Sequence, residues 1–136
     1  MRGTTRDAAR GAEIEAAGIE SVVADPARPG TILELVGDVA VIHWLLGDAQ
    51  GEPDRLEELH ATSLEALLER LVDTPVRGFV YEAAGGVPAE YLRQGAGLVR
   101  SAAETWRIPT EIVASDPVEP EEWLDAMFDA TQRVVG

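Results

Sequence analysis

The chain has 136 residues, the usual size of one domain and enough to bury a hydrophobic core, so a single domain over 1–136 is expected. Twenty-five acidic residues against eleven basic ones give a formal charge of −14, which repels a nucleic-acid backbone. No apolar run approaches the roughly 20 residues that span a bilayer, and residues 1–10 carry no signal-like apolar segment, so a cytoplasmic protein with no membrane partner is expected. There is no Cys and only His43 and His60, which argues against a metal site. Every basic residue is Arg; without Lys there is no Schiff base, no P-loop lysine and no Tyr-x-x-x-Lys pair.

In chain order, the β-branched segment Arg2 to Arg6 predicts a strand, and Asp7 caps a helix over Ala8 to Ala17 that Gly18 closes. Ile19 to Asp25 predicts the next strand, ended by Pro26 and a Pro29-Gly30 turn, with a short helix over Thr31 to Val36. The nearly continuous apolar segment Val39 to Leu46 predicts a strand covered on both faces, the best candidate for the middle of the sheet. Leu56, Leu59, Leu64, Leu67, Leu68 and Leu71 recur at helical spacing and predict one amphipathic helix, with His60 facing solvent. Arg77 to Ala84 predicts a strand, Pro88 to Trp106 a long helix, Glu111 to Ser115 a fifth strand and Glu121 to Val135 a closing helix. Such alternation predicts an α/β fold: a Rossmann-like, doubly wound, mostly parallel sheet of about five strands with helices on both faces, flavodoxin-like order being the competing topology.

Four segments carry a resemblance. Arg2-Gly-Thr-Thr-Arg-Asp7, Val22-Val-Ala-Asp25, Val41-Ile-His-Trp-Leu45 and Gly78-Phe-Val-Tyr-Glu-Ala-Ala84 are similar, in order and spacing, to strands two to five of the short-chain dehydrogenase/reductase superfamily. The resemblance is to its extended and atypical branches, the NAD-dependent epimerase-like and NmrA-like proteins. It implies NAD(P) binding, with Thr4, Thr5 and Arg6 at the adenosine ribose or its 2′-phosphate, Asp25 beside the adenine and His43 where the backbone passes the cofactor. Arg6 as phosphate ligand points to NADP. The bland readings stand beside these: Arg2 and Arg6 as surface charges, Asp25 as an Asx turn, His43 as a hydrogen-bonded core or sheet-end histidine.

The departures bear on chemistry. The chain opens at what resembles the second strand, so the fold is expected to be N-terminally truncated. No G-x-G-x-x-G turn is present to hold a pyrophosphate against backbone N–H groups. Loss of the first strand would leave a gap inside the sheet, between strands two and four. Ala83 and Ala84 stand where the family has serine, and Gly95 follows Tyr91 where a lysine is needed. These departures imply weak or absent cofactor binding and no catalysis. Two readings follow: a non-catalytic nucleotide-binding or sensor module taking a dinucleotide, or a degenerate Rossmann interaction domain acting as a homo-oligomer. A reductase or epimerase would need a longer native chain.

Overall fold

The computed structural model describes residues 2–6, 9, 11–16, 18, 20–37, 39 and 41–135. Strands β1 (Arg2–Thr5), β2 (Glu20–Val23), β3 (Val41–Trp44), β4 (Gly78–Glu82) and β5 (Thr110–Val113) alternate with helices. The helices are α1 (Gly11–Ala16), α2 (Pro29–Leu33), α3 (Pro53–His60), α4 (Thr62–Leu71), α5 (Ala89–Trp106) and α6 (Pro120–Val135). The expected cap Asp7 and parts of the first helix and of the second and third strands (residues 8, 10, 17, 19 and 40) lie outside the described residues.

All pairings among the described residues are parallel, as helical crossovers between paired strands require. The strands nevertheless form two sheets, β1–β2 and β3–β4–β5, and no ladder joins β1 to β3 among the described residues. The register runs Thr4 opposite Val22, Ile42 opposite Phe79, and Tyr81 opposite Ile112. Placing Val39 to Leu46 at the centre is corrected by this order. The middle strand is β4, with all five residues buried, whereas β3 is an edge whose Val41 and Ile42 are only half-buried and whose His43 is exposed. Apolar composition alone does not distinguish a central strand from one whose neighbour is missing.

Side-chain alternation divides the larger sheet between two helical layers. Ile42, Trp44, Phe79, Tyr81 and Ile112 face α4 and α5, whose Leu64, Leu67, Leu68, Leu71 and Val99 fill the main core. Each such leucine contributes about 1.5–3 kcal/mol by leaving water. Val80 and Val113 point the other way, against Met127, Ala130 and Val134 of α6. The smaller sheet joins the main core through Ala24, Ile32 and Val36, and through Ser63 Oγ of α4, which donates to the carbonyl of Ala27 at 3.3 Å.

Two further boundaries differ from expectation. The predicted helix through Leu56 and Leu71 is two helices, α3 and α4, broken at Ala61 (φ −133°, ψ −90°). The Pro29-Gly30 pair opens α2 instead of forming a turn, because proline lacks only an N–H that a first helical position leaves unpaired anyway. Among the described residues no helix is long and apolar enough to cross a membrane.

Candidate functional site

Parallel sheets gather loops at the carboxyl ends of their strands, and that is where a site is sought. Two arrangements occupy those ends. The first is a hollow of about 200 Å³ beyond β1 and β2, lined by Arg6, Val23, Ala24, Asp25, Arg28 and Thr31. Arg6 follows the last residue of β1, and Asp25 lies two residues beyond β2. The expected pair is therefore brought together. Arg28 and Thr31, from the turn and first residues of α2, complete the wall and were not singled out from sequence, because their nearness to Arg6 depends on the parallel pairing of β1 with β2.

Asp25 is held in place by its own turn. Its Oδ1 accepts the N–H of Ala27 at 2.9 Å, an Asx turn, and lies 3.6 Å from Arg55 Nη2 of α3. The Asp25 N–H donates to Thr31 Oγ1 at 2.9 Å, and that hydroxyl reaches the carbonyls of Asp25 and Arg28 at 2.9 and 2.8 Å. The bonds fix one carboxylate oxygen and leave Oδ2 unengaged among the described residues. Arg6 and Arg28 are exposed, and neither has a carboxylate partner there. Arg2 is committed elsewhere: it pairs with Glu20 at 3.2 Å and donates to the Leu35 carbonyl at 2.9 Å, a structural tie. Thr4 is exposed on β1, and the side chain of Thr5 lies outside the described part. His43 is not among the residues lining this hollow; its Nε2 meets Thr131 Oγ1 of α6 at 2.7 Å, on the opposite face from the main core.

The second arrangement closes the ends of β3 and β4. Glu82, the last residue of β4, is 3 % exposed. Its Oε1 accepts the Gly47 N–H at 2.8 Å and its Oε2 accepts Trp123 Nε1 at 2.6 Å, so one carboxylate ties the loop after β3 and helix α6 to the central strand. Burial raises the Glu82 carboxyl above its ordinary range; the bonds from Gly47 and Trp123 oppose the shift, and the charges of Asp48 and Asp116 add to it. The loops after β3 and β4 are stitched to one another: Asp48 Oδ1 accepts the Gly86 N–H at 2.5 Å, and the Val87 N–H donates to the Gly47 carbonyl at 2.9 Å. Gly85 adopts φ 136°, and a Cβ there would overlap the Gly47 carbonyl, so only glycine permits this approach.

Behind this closure His60 is fully buried, which corrects its expected solvent-facing position. Its Nδ1 meets the Tyr81 hydroxyl at 2.6 Å and its Nε2 the Leu46 carbonyl at 3.0 Å. A carbonyl accepts only, so Nε2 carries the proton and the Tyr81 hydroxyl donates to Nδ1. Burial lowers the His60 pKa, the Leu46 bond partly opposing it, and burial first and Glu82 second raise that of Tyr81. A Cβ on Gly95 would overlap the Tyr81 hydroxyl. Position 95, where a lysine would complete a Tyr-x-x-x-Lys pair with Tyr91, thus has no room for a side chain. Tyr91 itself is shifted upward, by partial burial and then by Glu57, Glu90 and Asp54.

The architecture is that of a Rossmann-like α/β fold. Among solved structures it is similar to a triphenylmethane reductase of Citrobacter sp., with a TM-score of 0.60 and 14% sequence identity. The match covers 82% of this chain and 38% of the reductase, so the chain spans well under half the length of that structure. No protein-family model matches the sequence. No curated protein matches it either.

Proposed function

We propose that residues 1–136 form one nucleotide-binding module of the atypical short-chain dehydrogenase type, taking the 2′-phosphorylated adenosine end of an NADP-like dinucleotide without catalysing hydride transfer. The single observation that supports it is the hollow beyond β1 and β2, where Arg6, Arg28, Asp25 and Thr31 converge. Two guanidiniums suit the planar, charge-assisted recognition of a phosphate, and the unengaged Asp25 Oδ2 suits an exocyclic amine or ribose hydroxyl donor. At about 200 Å³ the hollow accommodates a ribose phosphate rather than a whole dinucleotide.

The rest of the chain favours binding without turnover. The ends of β3 and β4 carry Asp48 and Glu82, with Asp116 of the loop after β5 close by, and these carboxyls disfavour a pyrophosphate there. Ala83 and Ala84 offer no hydroxyl, and Gly95 has no space for a lysine. The test is an equilibrium titration with NADP, NAD and adenosine 2′,5′-bisphosphate at low salt. Preference for the 2′-phosphorylated ligands by about tenfold, one phosphate contact being worth roughly 1.4 kcal/mol, supports the reading. Arg6→Ala then abolishes the preference while leaving the melting temperature unchanged. Equal affinity for NAD and NADP, or no saturable binding, overturns it.

A further inference from the structure

Glu82 is the only buried carboxylate among the described residues, and no arginine pairs with it there. Both of its oxygens accept from groups that can only donate: the Gly47 N–H on Oε1 at 2.8 Å and the Trp123 indole N–H on Oε2 at 2.6 Å. A carboxyl oxygen that takes a proton becomes a hydroxyl, a poorer acceptor whose own hydrogen needs an acceptor that neither N–H can supply. The two bonds therefore call for the ionised form. The surroundings oppose it: burial first, with the charges of Asp48 and Asp116 added, raises the carboxyl above its ordinary range although the two bonds hold it down.

The two ties are not equally replaceable. Gly47 is held by its neighbours as well: its carbonyl accepts the Val87 N–H at 2.9 Å, the adjoining Asp48 Oδ1 accepts the Gly86 N–H, and a Cβ on Gly47 would overlap the Ala84 carbonyl. Among the described residues the Trp123 indole N–H has Glu82 alone as its acceptor. Further along α6, Met127, Ala130 and Val134 are buried on the sheet, Thr131 is bonded to His43 and Arg133 pairs with Glu111. The first turn of α6 is fastened differently: Pro120, Glu121 and Glu122 are exposed, and the half-buried Trp123 carries the polar tie to β4. Loss of the Oε2 bond frees that turn and leaves the rest of the helix seated.

We propose that the Glu82–Trp123 bond is a proton-operated latch: with Glu82 ionised, the first turn of α6 is fastened to the carboxyl end of β4, and uptake of one proton on Oε2 releases it while the Gly47 tie persists. The titratable groups facing Glu82 are Asp48 of the loop after β3, Asp116 of the loop after β5 and Tyr81, its neighbour in β4. The loop after β4, Ala83 to Gly86, brings no charge, and α6 faces Glu82 with the uncharged Trp123, its Glu121, Glu122 and Asp125 being exposed. With carboxylates on two sides and no guanidinium, a proton taken up at Glu82 relieves repulsion that the indole bond alone opposes on that side.

The test is NMR of the 136-residue chain from about pH 7.5 down to about pH 4.5, following the Glu82 side-chain carboxyl carbon, the Trp123 indole N–H and the Gly47 amide. The expected result is one midpoint, above the ordinary carboxylate range near 4.3, shared by the carboxyl carbon and the indole. Across it the indole's protection from solvent exchange falls about tenfold, the loss of one charge-assisted bond, while the amides of Gly47, Leu67 and Val80 stay protected. Glu82→Gln, whose amide nitrogen can only donate where a carboxylate oxygen accepted, removes that titration. The wild-type midpoints decide on their own, whether or not the variant folds. An indole that keeps its protection while the carboxyl titrates overturns the proposal, as does a carboxyl that stays ionised throughout. So does an indole midpoint that follows the His43 ring, persists in Glu82→Gln or coincides with loss of protection at Leu67 and Val80, which is global unfolding in place of the release of one turn.

Discussion

The two ends of this fold answer the same topological opportunity with opposite electrostatics. Beyond β1 and β2 lies a hollow lined by two guanidiniums, Arg6 and Arg28, that have no carboxylate partner among the described residues. Beyond β3 and β4 the loops are bonded together through Glu82, Asp48 and Gly47, and the charge left there is negative. The fold family of a parallel sheet says only that ligands gather at these ends. The two ends differ in how far their polar groups are satisfied: the Glu82 oxygens and the His60 nitrogens are hydrogen-bonded, whereas the Arg6 and Arg28 guanidiniums have no carboxylate partner among the described residues.

This contrast breaks most sharply at Gly95. Gly95→Lys, which writes Tyr-x-x-x-Lys into α5, is expected to cost about 3 kcal/mol or more by forcing Tyr81 from its bond to His60, and to confer no reductase activity. Urea denaturation checks the first part and a coupled NADPH assay the second. Glu82→Ala comes next, at about 2–3 kcal/mol, because it leaves the Gly47 N–H and Trp123 Nε1 without their shared acceptor. The same measurement serves. Tyr81→Phe removes one donor to His60 Nδ1 and is expected to cost about 1–2 kcal/mol.

A smaller effect is carried by pH. The His60 pKa is lowered in the folded chain, so the unfolded chain takes up a proton first as pH falls. Stability from this group is full above about pH 6.5 and is lost below it. The raised Glu82 carboxyl acts in the opposite sense: its contribution is full at pH values below the ordinary carboxylate range, near 4.3, and is lost as pH rises through its folded pKa. His60→Gln should therefore reduce the fall in urea midpoint between about pH 6.5 and 5.5, leaving the part due to His43, whose pKa burial also lowers, and the Glu82 trend. Smallest is Arg6→Ala, whose exposed side chain is expected to change stability by less than about 0.5 kcal/mol while removing the 2′-phosphate preference.

Much of the architecture was legible because periodicity reports burial. The apolar spacing from Leu56 to Leu71 located the helical region that is α3 and α4, and in the closing helix Met127 and Val134 are buried as their spacing suggests while Phe128, expected on the same inner side, is exposed; the alternation of strands with helices implied parallel pairing. The resemblance left open whether the sheet closes up where the first strand is absent or stays interrupted, and among the described residues the strands form two separate sheets. Other features were hidden for physical reasons. The break at Ala61 has no proline or glycine to announce it, and it turns His60 inward onto Tyr81. Nothing local marks Glu82 as buried, because one of its donors, Trp123, lies 41 positions later. Asp25 and Arg6 were named separately from a resemblance, whereas Arg28 and Thr31 join them only through the β1–β2 ladder and the early start of α2.

The central claim is that the hollow of Arg6, Asp25, Arg28 and Thr31 is the nucleotide-phosphate site. Titration of the isotopically labelled chain with adenosine 2′,5′-bisphosphate, followed by amide NMR, tests it most directly. The account predicts saturable shifts at Arg6 and across Ala24 to Thr31, with Gly47, Gly85 and Gly86 unmoved and the response lost in Arg6→Ala. Shifts centred on Gly47 and Gly85, or none at millimolar ligand, would contradict it.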